Sequence, residues 1–190
     1  SAKDGDLDLI AGDFDYNPHT KDHTKQGVNN NELLISSSAF GSIYGNQIKI
    51  VGVNGNIGVA GDVISERVLK INADGTVVTN KTQAKEAMEV KAKEFTQNTS
   101  TYTEGNLTID ADKVTLKGNG TQAGNILITG DLENEVNIYS GNDINIGKGL
   151  VNKSGQIVAE RNISVSSKAD NKDLLYAKNN ITIGKELNNT

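Results

Sequence analysis

The chain alternates apolar and polar residues over short stretches, and the clearest example is the segment LTIDADKVTLKG at residues 107–118. Apolar side chains stand at Leu107, Ile109, Ala111, Val114 and Leu116, with charged or hydroxyl residues between most of them. Moving back 19 residues gives MEVKAKEFT, which has the same apolar spacing. Alternation with a period of two predicts β-strands, and a copy at a fixed distance predicts a repeated strand.

The apolar pair recurs along most of the chain at nearly constant spacing. From Leu69 onward the steps between copies are 19, 19, 19, 18, 19 and 18 residues, and one earlier copy lies 21 residues before Leu69. Eight copies therefore run from about residue 43 to the end of the sequence. The copies begin at Ile48, Leu69, Met88, Leu107, Ile126, Ile144, Ile163 and Ile181.

A period near 19 residues is too short for a helix pair or a propeller blade, but it suits one turn of a coil. Strands of successive turns would stack in parallel about 4.8 Å apart, which gives eight turns a length near 40 Å. We therefore predict an all-β fold, a right-handed parallel β-helix of about eight coils with an N-terminal excursion outside the helix. One inward column should contain Ile71, Val90, Ile109, Ile128, Ile146, Val165 and Ile183.

The residues beside the apolar pairs repeat as well. VISERVLKI at 63–71 and IVAERNISV at 157–165 are near copies, and IYSGNDINI and LYAKNNITI fill the same slot. A second short line reads LEN at 132, LVN at 150 and LNN at 187. We interpret the frequent Asn as structural, because Asn tolerates a left-handed backbone at corners and stacked amides can form hydrogen-bonded ladders. Asn or Asp precedes the apolar pair at Asn106, Asn125, Asp143, Asn162 and Asn180.

One stretch, QAKEAMEVKAKEFTQ at 83–97, also fits a helix. Its good helix formers place Ala84, Met88, Ala92 and Phe95 on one helical face. The same residues are nevertheless in register with copies 19 residues away on both sides, and a helix there would interrupt the stack. We predict strands for this stretch.

Composition excludes several classes of protein. The net charge is −5 and the 19 Lys and Arg are scattered, so nucleic acid is not an expected partner. The absence of Cys excludes disulfides, thiol nucleophiles and cysteine-ligated metals. No apolar run approaches the roughly 20 residues of a membrane span, and the opening SAKDGDLD lacks signal-peptide features. We expect a soluble chain or a trimmed piece of a longer one.

A resemblance to a known family rests on residues 40–78, which carry an FGSIY opening, an IKIVG strand and a Gly-x-Ile-Gly-Val step at 55–59. This stretch resembles the end of the haemagglutination-activity, or secretion, domain of two-partner-secretion exoproteins, such as filamentous haemagglutinin and contact-dependent inhibition proteins. LDLIAGDFDYN at 7–17 fits the same domain slightly upstream. The family's Asn-Pro-Asn motifs and capping segment are missing, since the sole proline, Pro18, lies in DYNPHT.

The resemblance implies both an organisation and a function. Residues 1–80 would be the C-terminal part of a secretion domain with a projecting loop at 13–33, and residues 81–190 would be filament repeats continuous with it. The protein would be secreted to the surface of a Gram-negative bacterium through an outer-membrane β-barrel transporter, and it would act as an adhesin or as a stalk for a toxin. Its receptor or glycan on a host or neighbouring cell is not identified. We expect no catalytic turnover and no cofactor.

Both histidines lie in the segment DFDYNPHTKDHTKQGVNNNE at 13–32, which interrupts the repeat. His19 and His23 would align two metal ligands on a helix, with Asp22 beside them. Pro18, Gly27 and the Asn run favour a loop instead, and no third strong ligand stands at a fixed spacing. We interpret the segment as a polar excursion and predict no metal site.

The alternative function is a carbohydrate-active β-helix, a polysaccharide lyase or hydrolase. Such an enzyme needs carboxylates that converge in a cleft, usually walled by long loops. The loops after residue 33 are short, and Asp110, Asp112 and Asp131 alternate with apolar residues, which predicts solvated outer faces. A calcium-binding β-roll would need Gly-Gly-x-Gly-x-Asp nonapeptides, which are absent. Because no polar cap follows the last copy, Ile181 to Leu187 should leave an open β-edge.

Overall fold

A computed structural model describes residues 4–29, 31–36 and 41–190. Over these ranges the chain is all β, without a helix, and its parallel strands stack as a solenoid of about eight turns. The fold class predicted from the repeat is therefore confirmed. The right-handed sense of the coil stays a prediction.

The strands, β1 to β26 in chain order, form three sheets in the described residues. A nine-stranded parallel sheet contains β1 (Leu7–Gly12), β6 (Ile48–Val53), β9 (Val68–Ala73), β11 (Ala87–Lys91), β13 (Asn106–Asp110), β16 (Asn125–Ile128), β19 (Ile144–Ile146), β22 (Asn162–Val165) and β25 (Asn180–Ile183).

A 15-stranded sheet forms the rest of the coil. Its members are β4 (Glu32–Ser36), β5 (Ile43–Gly45), β7 (Gly55–Val59), β8 (Val63–Ser65), β10 (Thr76–Ala84), β12 (Glu94–Thr103), β14 (Lys113–Leu116), β15 (Gly120–Ala123), β17 (Asp131–Asn134), β18 (Ile138–Ser140), β20 (Leu150–Asn152), β21 (Ile157–Ala159), β23 (Ala169–Asn171), β24 (Leu175–Ala177) and β26 (Leu187–Asn189). The two-stranded antiparallel sheet pairs β2 (Phe14–Asn17) with β3 (Asp22–Lys25).

The strand register follows the repeat along the nine-stranded sheet. Each of the eight predicted copies begins opposite the next one, from Ile48 beside Leu69 to Ile163 beside Ile181. The structure adds a ninth strand, because Leu7 of β1 pairs with Ile48. Register is fixed here since a slip of one residue would move every apolar side chain to the outer face.

The predicted inward column forms the core. Six of its members, from Ile71 to Val165, expose at most 2% of their surface, whereas Ile183 on the last strand of its ladder is half-buried. Burying each such side chain contributes about 1.5–3 kcal/mol, so the column is a principal source of stability. The stretch 83–97 is strand rather than helix, with Met88 and Phe95 buried in β11 and β12.

A buried Asn ladder lines one corner of the last turns. Asn134 donates from Nδ2 to Oδ1 of Asn152 at 2.8 Å, Asn152 donates in the same way to Asn171 at 2.7 Å, and Asn171 to Asn189 at 2.7 Å. Each of the first three also donates to a carbonyl of its own bend, at Val136, Gly155 and Asp173 respectively. The hydrogen-bonded ladder predicted from the repeated Asn is confirmed.

A second, outer ladder joins the residues before the apolar pairs, for example Asn125 to Asn106 at 2.9 Å and Asn162 to Asp143 at 2.8 Å. The other reason given for these Asn residues was wrong, because none of them has a left-handed backbone. Among the described residues, the Asn with positive φ are Asn31 and Asn54. Hydrogen bonding between turns, and not backbone freedom, accounts for both ladders.

The N-terminal excursion is more ordered than a loop. Residues 14–25 form the hairpin β2–β3, and β4 rejoins the solenoid by pairing with β7. Lys25 of the hairpin pairs with Asp74 of the coil at 3.1 Å. β10 runs through residue 80 without interruption, and the predicted boundary between residues 1–80 and 81–190 stays a prediction.

The last turn among the described residues is less buried than the turn before it, and the open edge stays a prediction. β25 and β26 are the last strands of their ladders, and no further strand of the described chain pairs with them. Ile181 and Leu187 expose 42% and 48% of their surface there, whereas their counterparts one turn earlier, Ile163 and Ala169, are buried.

Candidate functional site

One outward column of the solenoid collects four of the five tyrosines in the chain. We call this column the tyrosine stripe, and consecutive members occupy paired positions on neighbouring strands. From the N-terminal to the C-terminal turn its members are Tyr44, Ile64, Gln83, Tyr102, Gln122, Tyr139, Val158 and Tyr176.

The local sequence explains why these side chains point outward. In β18, Ile138 and Ser140 are buried, so the residue between them, Tyr139, must face solvent. The same alternation places Tyr102 between buried Thr101 and Thr103. Because the strands stack in register, side chains at the middle position form one continuous line along the axis.

The stripe is exposed and shallow. Tyr44, Tyr139 and Tyr176 expose 41%, 38% and 49% of their surface, and Tyr102 is half-buried. A depression of about 300 Å³ lies between Tyr102 and Tyr139, over Gly120 and Gln122. Asn119 and Asn137 line its side and offer amide groups. The surface can therefore present ring faces and hydrogen-bonding groups to a ligand that lies flat on it.

Charges beside the stripe are paired along the axis. Lys85 lies 3.6 Å from Glu66, and Lys178 lies 3.9 Å from Glu160. The hydroxyl of Tyr139 donates to Oε1 of Glu160 at 3.3 Å. Desolvation and the Glu160 carboxylate raise the pKa of Tyr139, so this phenol stays neutral and donates its proton at physiological pH.

A second depression, of about 450 Å³, is lined by charged residues of other turns, among them Lys113, Glu133, Lys168 and Asp170. Glu133 lies 3.7 Å from Lys113 and also pairs with Lys153. The hydrogen bond from Lys153 lowers the pKa of Glu133 despite some burial. Lys168 lies 3.1 Å from Asp170, whose pKa is lowered by hydrogen bonds from Asn188 and Lys168. A carboxylate with a lowered pKa is poorly suited to act as a general acid near neutral pH.

The three carboxylates considered for catalysis are exposed, as predicted. Asp110 accepts a hydrogen bond from Thr129 at 2.8 Å, and Asp131 accepts one from the Gly149 N–H at 2.8 Å. Asp112 lies 3.4 Å from Lys148. Asp110 and Asp131 thus contact the next turn of the solenoid, and Asp112 contacts a residue two turns later.

The two histidines lie on the hairpin. The His19 N–H donates to Oδ1 of Asn17 at 2.9 Å in the turn. The ring of His23 on β3 meets Phe14 edge-on, with ring centroids 5.9 Å apart. In the described ranges, no group of three or more His, Cys, Asp or Glu side chains could hold a metal ion. The same part of the chain contains no helix long and apolar enough to cross a membrane.

Comparison of the chain with models of protein families, with curated proteins and with solved structures gave no match. The resemblance to two-partner-secretion exoproteins therefore stays a prediction from the sequence. The sequence analysis did not predict the tyrosine stripe. A signal for it existed, because IYS and LYA fill the same slot of the repeat and place Tyr139 and Tyr176 at its centre.

Proposed function

We propose that the chain is a non-catalytic segment of a secreted bacterial surface adhesin of the filamentous haemagglutinin type. In this role the solenoid is part of a shaft that carries outward surfaces for attachment to other cells. The observation that carries the proposal is the even stacking of turns, with exposed faces made of shallow columns rather than a deep cleft. The features of residues 40–78 that resemble the secretion domain support the same assignment.

The pairing of charges supports attachment over catalysis. Around the depression of about 450 Å³, Glu133 and Asp170 are each held by a lysine, with lowered pKa values. A glycoside hydrolase needs one carboxyl group with a raised pKa to act as the acid. During export, the partner under this proposal is an outer-membrane β-barrel transporter, and the partner after export is a surface receptor or glycan of a host or neighbouring cell.

Adhesion can be measured directly with beads that carry the purified chain. We expect such beads to bind epithelial or bacterial cells more than beads carrying serum albumin. A parallel release assay should detect no new reducing ends or unsaturated products from neutral and acidic polysaccharides. Cleavage that is abolished by Glu133→Gln, or by another single carboxylate substitution, would favour the enzyme and contradict the proposal. Equal binding of the two bead types would also contradict it.

A further inference from the structure

The aromatic rings of the tyrosine stripe recur at every second turn over its C-terminal half. Tyr102, Tyr139 and Tyr176 are separated by Gln122 and Val158, one turn at a time. Neighbouring strands lie about 4.8 Å apart, so successive tyrosines lie about 10 Å apart along the axis. The three rings therefore form a row at regular spacing that covers four steps between turns.

The stripe is also uncharged. None of its eight members is charged, although 23% of the residues in the chain are Asp, Glu, Lys or Arg. Gln83 and Gln122 stand between the rings, and the depression beside Gln122 is lined by Asn119 and Asn137. The surface thus combines apolar ring faces with neutral groups that both donate and accept hydrogen bonds.

We propose that the tyrosine stripe binds an extended, uncharged, β-linked polysaccharide that lies along the solenoid axis. This inference rests on the proposed function and names the ligand class of the attachment surface. In an extended β1→4-linked chain every second sugar presents the same face, and two sugars cover about the same distance as two turns of the solenoid. Sugar C–H groups then pack on successive tyrosine rings, because an aromatic face is both apolar and electron-rich. The amides between the rings meet the sugar hydroxyls.

The local charge disfavours the other polymer that stacks on aromatic rings. Single-stranded nucleic acid requires a positively charged groove beside the rings. Here Glu160 accepts a hydrogen bond from the hydroxyl of Tyr139, and lysines on this flank are paired with carboxylates, as in Lys178 with Glu160 and Lys85 with Glu66. A neutral chain avoids the repulsion that a polyanion would meet at Glu160.

The test is calorimetric titration of the purified chain with hexasaccharides of β1→4-linked glucose and β1→4-linked N-acetylglucosamine. An α1→4-linked glucose hexasaccharide is the control ligand, because its chain coils and does not present the same sugar face at every second residue along an extended ribbon. We expect at least one β-linked hexasaccharide to bind, and Tyr102→Ala and Tyr139→Ala each to raise its Kd about fivefold, the size of one aromatic contact. Tyr16→Ala is the matched control, since Tyr16 is 49% exposed but lies on the hairpin. It should leave the Kd unchanged.

A second measurement uses only the parent chain, so its result does not depend on whether the variants fold. In the parent chain, the side-chain amide signals of Gln122 should shift on addition of the β-linked hexasaccharide, whereas those of Gln26 on the hairpin side should not. The inference is overturned if neither β-linked hexasaccharide binds, or if the α-linked hexasaccharide or single-stranded DNA binds more tightly. It is also overturned if Tyr16→Ala raises the Kd as much as Tyr102→Ala and Tyr139→Ala do. The bead assay separates the two proposals: beads of Tyr139→Ala that adhere as well as the parent contradict only this ligand assignment. Parent beads that fail to adhere contradict the function itself.

Discussion

The middle coils, residues 76–103, and the C-terminal coils, residues 131–189, differ in how the strands of the 15-stranded sheet are divided and in which side chains they bury. In the middle coils, β10 and β12 continue for 9 and 10 residues, and their pairing shifts register once, between Thr79 and Lys81. In the C-terminal coils two strands of three or four residues replace each long one, with a bend between them. One column runs through both regions, and its members are Val59, Thr79, Gln97, Leu116, Asn134, Asn152, Asn171 and Asn189.

The difference shows what a bend requires of the residue inside it. A bend leaves backbone carbonyls without strand partners, and a buried amide can donate to them while it also bonds its counterpart on the next turn. Asn134 does so with the Val136 carbonyl at 2.7 Å. Gln97 performs this function where the long strands end, because it donates to the carbonyls of Lys117 and Gly120 at 3.1 and 3.2 Å in the first bent turn.

Apart from Gln97, the buried polar side chains of the long strands in the middle coils are hydroxyls. Thr82 and Thr101 share a hydrogen bond of 3.0 Å. In the described part of the chain, the buried Oγ1 atoms of Thr79 and Thr103 have no partner. The two regions therefore differ in how completely their buried polar side chains are hydrogen-bonded, while they share the buried apolar column of the nine-stranded sheet. Substitutions can measure separately how much the polar and the apolar side chains contribute to the free energy of unfolding.

The largest expected change in the free energy of unfolding comes from the apolar column of the nine-stranded sheet, which contains Ile71 and Ile128 and runs through both regions. Ile128→Lys removes a fully buried side chain and places a charge in the core, which should cost more than about 3 kcal/mol or prevent folding. Leu127→Lys is the matched control, because Leu127 is 42% exposed on the outer face, and it should change the free energy of unfolding by less than about 0.5 kcal/mol. Urea denaturation measures both. Equal midpoints for the two variants would show that the register is wrong.

The second effect tests the Asn ladder of the C-terminal coils. Asn152→Leu keeps the branched shape and the number of side-chain heavy atoms but leaves the Nδ2 of Asn134, the Oδ1 of Asn171 and the carbonyl of Gly155 without this partner. We expect a loss of about 1–3 kcal/mol in the free energy of unfolding, the usual cost of unsatisfied buried polar groups. Asn145→Leu, on the exposed centre of β19, is the control and should be close to neutral. If Asn152→Leu lowers the free energy of unfolding no more than Asn145→Leu does, the Asn ladder does not contribute to stability.

The third effect tests the hydroxyls of the middle coils. Thr103→Val removes a buried Oγ1 that lacks a partner and should stabilise the protein by about 1 kcal/mol. Thr101→Val has the same shape change but leaves Thr82 without its hydrogen bond, so it should destabilise by about 1 kcal/mol. Thermal unfolding of the pair gives the sign directly. Effects of the same sign in the two variants would contradict the assignment of partners.

The smallest expected change in stability comes from the ion pair between Lys25 of the hairpin and Asp74 of the coil. The C-terminal coils have no such hairpin among the described residues. Burial disfavours ionised Asp74, but the N–H of Asn54 and the side chain of Lys25 outweigh it and lower the pKa of Asp74 below its usual value. A lowered folded pKa means that the stabilisation is fully present above the unfolded pKa, about 3.9, and is lost as the pH falls through the folded pKa. Because both side chains of the ion pair are well exposed, the contribution is about 0–1 kcal/mol.

Amide exchange of residues 14–25 measures how firmly the hairpin is docked. Asp74→Asn should lower the protection of these amides, relative to the exchange of an unfolded chain, at neutral pH, and should remove the loss of protection expected for the parent below about pH 4. Asp112→Asn, at a side chain that is 76% exposed, is the control and should do neither. An unchanged exchange profile in Asp74→Asn would show that the hairpin is held by other contacts.

The apolar columns were predictable because burial has a period. Residues such as Ile109 and Ile128 recur at 19 residues, and each is apolar because it contacts its own counterpart. The split of each long strand was less predictable. The ladder includes Asn171 in ADN at 169, which does not match the LEN and LVN pattern and was not recognised in the sequence. The sequence predicts a loop where the structure has the hairpin, because the two strands β2 and β3 are short and polar.

By itself, the sequence determined the strand class, the period of 18 or 19 residues and the inward register, since these follow from the alternation of apolar and polar side chains. Only the tertiary structure decided which outward residues align. Tyr102 and Tyr139 are 37 positions apart, and one turn lies between them because Tyr102 pairs with Gln122 and Gln122 pairs with Tyr139, at unequal steps of 20 and 17 residues. Outward positions carry no burial signal to mark their alignment. The tyrosine stripe and the partners of each buried amide therefore emerge only when the turns are stacked.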